Sequence, residues 1–166
     1  MRWLEWLGIV PKDQRDAIKL TDRACWLVEP TQNPAAFYRA LGALATTGSI
    51  VYLEGSTESE VPKFLEARES LDSMPVALGT ILPASDRYHM PATPDNLIGL
   101  ATLIEAHRIA LPAIHTHLYK DGKVLVEWYD AFTDDPIYVS ASIIETEVRR
   151  FAEALASRYR WAEHAA

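Results

Sequence analysis

Two histidines lie one residue apart, at His115 and His117, shortly before an Asp-Gly dipeptide at 121–122. Imidazole rings bind metal ions and act as general bases near neutral pH. Side chains alternate between the two faces of a strand, so residues 115 and 117 on one strand point to the same side of a sheet. The spacing therefore predicts two neighbouring imidazoles that could hold zinc or another divalent ion, or act in catalysis.

The turn that follows sets the neighbours of these rings. Asp-Gly favours a two-residue type I′ turn, because both central positions need a positive φ. A regular hairpin over 113–129 would place Val126 and Trp128 beside the two histidines. It would also place Asp130 diagonally from His115, where its carboxylate could fix the tautomer of the ring.

The longest polar interruption, 83–96, predicts a loop, and loops of this length in compact domains often carry function. His89 in this loop is a further catalytic candidate, and Asp86 is a candidate third metal ligand. The alternative interpretation is structural, since a His-x-His pair without confirming context often only packs in a sheet. The candidate catalytic residues are His115, His117, Asp130 and His89; of these, His115, His117 and Asp130 are the candidate metal ligands.

Acidic and aromatic residues cluster after the hairpin, in "YDAFTDDP" at 129–136. The aspartates lack the spacing of a calcium-binding loop. Carboxylates next to aromatic rings are typical of protein docking surfaces, because tyrosine and phenylalanine supply contact area. The cluster predicts a surface for a basic partner protein. The candidate partner-binding residues are Asp134, Asp135, Tyr129, Phe132 and Tyr138, with Arg87 from the polar loop.

Composition narrows the functional classes. The net charge of −7 over 166 residues argues against nucleic acid and anionic membranes as partners, since both require clustered Lys and Arg. No run approaches the roughly 18 apolar residues of a membrane span. Cys25 is the only cysteine, so no intrachain disulfide is possible and a reduced, cytoplasmic setting is expected. The N-terminal segment is too short and interrupted for a signal peptide.

Apolar spacing and capping residues predict the secondary structure. Helices are expected over 12–20, 34–45, 59–70, 94–107 and 142–159, and strands over 23–29, 49–55, 74–82, 113–129 as a hairpin, and 136–140. Alternating strands and helices in the first half favour parallel pairing through right-handed crossovers. We therefore expect one mixed α/β domain over 1–166, with 1–10 as an arm. Its mixed sheet would have about five strands, an antiparallel hairpin, and helices on both faces.

The chain lacks the glycine-rich, nucleophile-elbow and zinc-protease motifs of common enzyme families, so no cofactor is expected. The pattern fits a small, acidic, soluble protein that binds another protein, of the bacterial immunity, inhibitor or regulator kind, and a homodimer is compatible with it. Two alternatives stay open. One is a metal- or His/Asp-dependent hydrolase that uses the histidine face, and the other is a small-molecule sensor with an apolar pocket beside helix 94–107.

Overall fold

The computed structural model describes residues 20, 24–56, 58–70 and 86–163, which form seven strands and four helices. Strands β1 to β7 are, in chain order, Cys25–Val28, Ile50–Glu54, Arg87–Pro91, His115–Lys120, Lys123–Trp128, Ile137–Ser140 and Tyr159–Ala162. Helices α1 to α4 are Pro34–Leu41, Glu60–Glu66, Pro94–His107 and Glu145–Ala154. The predicted arm 1–10, the strand over 74–82 and nearly all of helix 12–20 lie outside the described residues.

The strands form one sheet in the order β3-β2-β4-β5-β6-β1-β7, and every neighbouring pair is antiparallel. The mixed α/β class is confirmed, with seven strands instead of about five. The expected parallel pairing is wrong for a topological reason. The connection through α1 does join two strands of the same direction, β1 and β2, but β4, β5 and β6 lie between them.

Local signals for the helix starts are mostly confirmed. The side chains of Asn33 and Thr93 accept backbone hydrogen bonds from the residues three positions on, at 3.0 and 3.3 Å, and a proline follows each of them. The predicted capping box at the last helix is wrong. The hydroxyl of Ser142 lies 2.9 Å from that of Ser140 instead, and α4 begins after Ile144 without a side-chain cap.

All four described helices pack against one face of the sheet, which we call the helical face. Apolar strand residues such as Val51, Leu118 and Val126 point to it and form one continuous core with the helices. The opposite face, which we call the polar face, carries none of these helices, so the expectation of helices on both faces is not met within the described residues. No described helix combines the length and the hydrophobicity that crossing a membrane requires.

Two strands were not expected from the sequence. The segment with Arg87 and His89, predicted as a loop, is the edge strand β3, which pairs with β2. The last predicted helix ends at Ala154 instead of residue 159, and the residues from Tyr159 form the other edge strand, β7, beside β1.

Candidate functional site

The hairpin forms at the predicted turn, where Asp121 and Gly122 have φ values of 48° and 74°. Both central residues therefore adopt the left-handed conformation that a type I′ turn requires. His115 and His117 lie on β4 and face the same side of the sheet, as predicted.

A β-bulge two residues beyond the turn changes the neighbours of these rings. Tyr119 pairs with Val124 as predicted, but Leu118 pairs with Val126, because the register shifts between Leu118 and Tyr119. β5 thus holds one extra residue, Leu125, opposite β4.

Beyond the bulge every side chain of β5 lies on the face opposite to the predicted one. His117 pairs with Glu127, and Trp128 pairs with Thr116 on the helical face. A shift of one residue in a strand moves all later side chains to the other face. The prediction that Val126 and Trp128 lie beside the histidines is therefore wrong, and Glu127 and Tyr129 take their place.

Deleting Leu125 should leave the fold intact. The deletion would place Val126 directly opposite Leu118 in a regular ladder, with all later pairs unchanged. Its expected cost is about 1 kcal/mol, from the lost packing of a half-buried leucine. Thermal unfolding monitored by circular dichroism measures this. Deleting Leu53 is the control, because β2 has regular ladders on both sides and its Glu54 would turn into the apolar core. Comparable unfolding of both variants would contradict the role of the bulge.

A row of side chains crosses the polar face at right angles to the strands. Successive pair registers bring together His89, Tyr52, His117, Glu127, Tyr138, Leu27 and Arg160. A shorter row beside it holds Arg87, Glu54 and His115. The fold thus collects on one face three histidines and two glutamates that are far apart in the sequence.

Tyrosine hydroxyls and carboxylates pair within this polar face. The Tyr52 hydroxyl donates to the Glu54 carboxylate at 2.9 Å, and Tyr129 lies close enough to the Glu127 carboxylate to feel its charge. Burial, reinforced by these carboxylates, raises the pKa of both tyrosines. Both phenols are therefore protonated donors at neutral pH.

His89 also contacts a tyrosine hydroxyl on the polar face, with its Nδ1 2.9 Å from the Tyr119 hydroxyl. Burial, and then the charge of Arg87, lower the pKa of the His89 ring. This candidate therefore belongs to the polar face, at its β3 edge, and not to a surface loop.

His117 lies at the centre of the polar face and is 2% exposed. Its ring stacks on Tyr52, with centroids 5.4 Å apart at 21°, and meets Tyr129 edge-on at 4.9 Å. Neither ring nitrogen has a hydrogen-bond partner among the described residues. Burial, and then the electrostatic effect of the neighbouring His115, lowers the pKa of His117 to about 3. The ring is therefore neutral over the physiological range.

His115 does not form the predicted pair with the Asp130 carboxylate. Its Nδ1 accepts a hydrogen bond from the backbone N–H of Asp130 at 3.0 Å, and the Asp130 side chain is exposed. An Nδ1 that accepts leaves the proton of the neutral ring on Nε2. A backbone group thus fixes the tautomer, and the contact ties the polar face to the turn after β5.

The predicted metal site does not assemble in the described chain. Within residues 20, 24–56, 58–70 and 86–163, no group of three or more histidine, cysteine, aspartate or glutamate side chains is placed to hold a metal ion. A zinc site needs three or four such ligands. Asp86 and Asp130, the predicted partners of the histidine pair, are both exposed.

The turn after β5 is strained and presents the two predicted aspartates. Asp130 and Phe132 have φ values of 43° and 67°, which residues other than glycine rarely adopt. The Trp128 Nε1–H donates to the Asp135 carbonyl at 2.9 Å and holds the far end of the turn. Asp134 and Asp135 are exposed. Strained turns held by their surroundings cluster at functional sites.

The other predicted partner-binding residues lie elsewhere. Phe132 is buried on the helical face, with its ring 4.6 Å from that of Trp128, so it offers no surface. Tyr129 and Tyr138 are half-buried, and Tyr138 belongs to the transverse row of the polar face. Arg87 is exposed on β3, at the opposite edge of the sheet from β7. Only the two aspartates form a shared exposed group.

A groove beside these aspartates contains residues that the sequence did not suggest. Its volume is about 520 Å³, and it lies where β1 ends and β6 and β7 begin. The charged and proline residues of its lining are Glu29, Pro30, Asp134, Pro136, Arg158 and Arg160. An alternating pattern in "RYRWA", at 158–162, was the available signal for β7, but the predicted helix extended to residue 159 and no element was predicted over 160–162.

The charges of this groove are only partly paired. Arg158 and Glu29 form an ion pair at 2.6 Å across the groove wall. Asp134 and Arg160 form no ion pair with another described residue. The groove therefore offers one carboxylate and one guanidinium to a ligand.

No protein-family profile, curated protein or solved structure matches this chain.

Proposed function

We propose that this protein binds a partner protein through the groove at 134–136 and 158–160, which we call the docking groove. The observation that carries the proposal is the groove itself, about 520 Å³ in volume, which brings charged residues from β7 and the turn after β5 together at one end of the sheet. It contains Asp134, and Asp135 follows in the same strained turn. A basic side chain of the partner would meet these carboxylates, and an acidic one would meet Arg160.

The overall charge supports a partner with a basic binding surface. A chain of net charge −7 attracts positively charged surfaces over the distance of a Debye length and speeds their association. An immunity protein, inhibitor or regulator would use such a surface to mask the basic active or binding region of its target. The single cysteine fits action in the cytoplasm.

Reversing both charges in the strained turn should weaken partner binding. Asp134→Lys/Asp135→Lys replaces two attractive contacts by repulsion, and the expected loss of affinity is about a hundredfold. Pull-down from a lysate of the source cells, followed by mass spectrometry, identifies the partner protein. Titration calorimetry with that partner then measures its affinity for wild type and for the variant.

The matched control is Glu66→Lys/Glu69→Lys, which changes the net charge by the same amount. Both glutamates are exposed and lie near Tyr88 on β3, at the far edge of the sheet. The control should retain the partner with unchanged affinity, and both variants should keep the wild-type melting temperature. Equal affinity of wild type and the Asp134/Asp135 variant, or equal loss in both variants, would reject this groove as the docking site.

A small polar molecule on the polar face is a second candidate ligand, because His117 has two unpartnered ring nitrogens in the described chain. Leaving such groups buried without hydrogen bonds costs free energy that a ligand would recover. The hydrolase alternative has less support, since a ring with a pKa of about 3 is poorly matched to proton abstraction near pH 7. The apolar sensor has less support too, because the inward residues of α3, such as Leu97 and Leu100, are packed into the core.

Native mass spectrometry of the purified protein tests this second candidate. A bound small molecule that is lost from the His117→Phe variant would favour it. Identical masses of the two proteins, apart from the substitution, would count against it.

A further inference from the structure

The two edges of the sheet end differently. At β3, Pro91 has no N–H to offer, and the Ser70 N–H donates to the His89 carbonyl at 2.7 Å, so this edge is partly covered. At β7, no described strand pairs with the outer edge. β7 also contains no proline, and its ladder with β1 is regular. An edge strand without such protection is a template for another strand.

Aromatic side chains line this open edge on the helical face. Trp161 is 44% exposed, and its ring lies edge-on against Trp26 at 4.8 Å. Trp26 in turn contacts Tyr159 at 5.9 Å and donates from Nε1 to the Ile143 carbonyl at 3.3 Å. The Trp161 ring thus rests against Trp26 on one side while part of it faces water. Tryptophan is enriched among the residues that contribute most to binding at the centres of protein interfaces.

We propose that a second copy of this chain pairs with β7, so that two sheets join antiparallel across a two-fold axis at Trp161. The inference does not rest on the docking groove. The two sites share Tyr159 and Arg160, but the groove lies on the side of β7 that faces β1 and β6, whereas the proposed seam is the outer edge of β7.

Charge and face together select this register. Residues that pair directly across two strands point to the same face of the sheet. Because side chains alternate along β7, the helical faces of the two copies coincide only if the two residue numbers of each pair add to an even number. Centring the axis on Arg160 would place two guanidinium groups directly opposite each other, which is destabilising. Centring it on Trp161 places the two indoles together and puts Arg160 opposite Ala162 of the second copy. Centring it on Tyr159 would place Arg158 opposite Arg160. Of these three registers, only the one centred on Trp161 places no arginine opposite another.

The first test compares oligomeric state across a range of concentrations by sedimentation velocity. Wild type should shift from monomer to dimer as concentration rises. Trp161→Glu should raise the dissociation constant by about thirtyfold or more, as expected for a central hot-spot residue. Ile98→Glu is the matched control, since Ile98 is an apolar residue of comparable exposure, 53%, on α3. It should dimerise as wild type does.

The second test reads the register directly and does not depend on the stability of the glutamate variant. Residues directly opposite in an antiparallel pair have Cα atoms about 4.5–5.5 Å apart, within the range that a disulfide bridges. Trp161→Cys should therefore yield a covalent dimer on mild oxidation, and Arg160→Cys should not. Cys25 is the only natural thiol and is buried, so it needs no replacement.

Several outcomes would overturn the proposal. A wild-type protein that stays monomeric at every concentration tested would contradict the proposal. A dimer that Trp161→Glu leaves intact would use another surface. A covalent dimer through position 160 in place of 161 would exclude the proposed register.

Discussion

Replacing Trp128 with alanine is expected to lower the free energy of unfolding by about 4 kcal/mol. The Trp128 side chain is completely buried, with ring centroids 4.8 Å from Phe37 and 4.6 Å from Phe132. It also donates a hydrogen bond of 2.9 Å to the Asp135 carbonyl. Alanine would leave a large cavity and remove the donor for that carbonyl. Trp128 is the largest fully buried side chain among the described residues.

Equilibrium unfolding in urea measures the loss, with Trp128→Phe to separate its two components. Phenylalanine keeps most of the ring volume but not the hydrogen bond, so we expect about 1.5 kcal/mol for it. Trp161→Ala is the control, since the same substitution at the half-exposed edge should cost about 1 kcal/mol at concentrations too low for association. A loss at Trp128 no larger than that at Trp161 would contradict the assignment of Trp128 to the core.

The same hydrogen bond links the core to the docking groove. Because Trp128 holds Asp135, the Trp128→Phe variant should present Asp134 and Asp135 less rigidly while staying folded. We therefore expect it to weaken partner binding without abolishing it. Core packing on the helical face and the proposed binding at the docking groove are thus joined through this one turn.

Local sequence signals predicted the elements that depend on a few neighbouring residues. Asn33-Pro34 and Thr93-Pro94 start helices because their side chains cap free N–H groups within the same turn. Asp121-Gly122 forms a tight turn because both residues tolerate positive φ. These features require no knowledge of the rest of the chain.

The face of each side chain beyond the bulge depended on contacts between strands. Val124, Leu125 and Val126 are three consecutive apolar residues before Glu127, so strict alternation breaks at this point. That break is a signal for an extra residue, but the position of the bulge is fixed by the pairing of β5 with β4 and β6. The candidate site therefore gained Glu127 and lost Trp128.

The order of the strands in the sheet could not be predicted from the sequence for a related reason. The strand–helix alternation describes the connections, whereas the insertion of β4, β5 and β6 between β1 and β2 depends on which edges meet during folding. The groove was missed as well, since Asp134 and Arg160 come together only through the positions of β6 and β7 on either side of β1.

Replacing His117 with phenylalanine is expected to flatten the acid side of the stability curve. The pKa of the folded ring, about 3, lies below its ordinary value of 6.5. Between these values the unfolded chain binds a proton that the folded protein does not, so stability is lost as pH falls below about 6.5 and is constant above it. The slope approaches about 1.4 kcal/mol per pH unit, and the loss between pH 6.5 and 4 reaches about 3 kcal/mol.

The phenylalanine variant keeps the stack on Tyr52 and removes the titrating group. The stability of the variant relative to wild type should therefore rise by up to about 3 kcal/mol on going from pH 7 to pH 4. Urea midpoints measured at a series of pH values test this. His89, whose pKa is also lowered by burial, stays in the variant and keeps part of the acid sensitivity.

His107→Phe provides the matched control, because His107 is exposed at the end of α3 and outside the polar face. This control keeps the His117 ring and should therefore keep the acid-side loss of stability that the ring causes. If the His117→Phe variant shows that same loss, the ring at position 117 must be protonated as easily in the folded protein as in the unfolded chain. The ring would then have to contact water or a carboxylate. In the structure it is instead buried between Tyr52 and Tyr129, and its nitrogens have no hydrogen-bond partner among the described residues. The slope of this curve thus tests whether the centre of the polar face is closed to water.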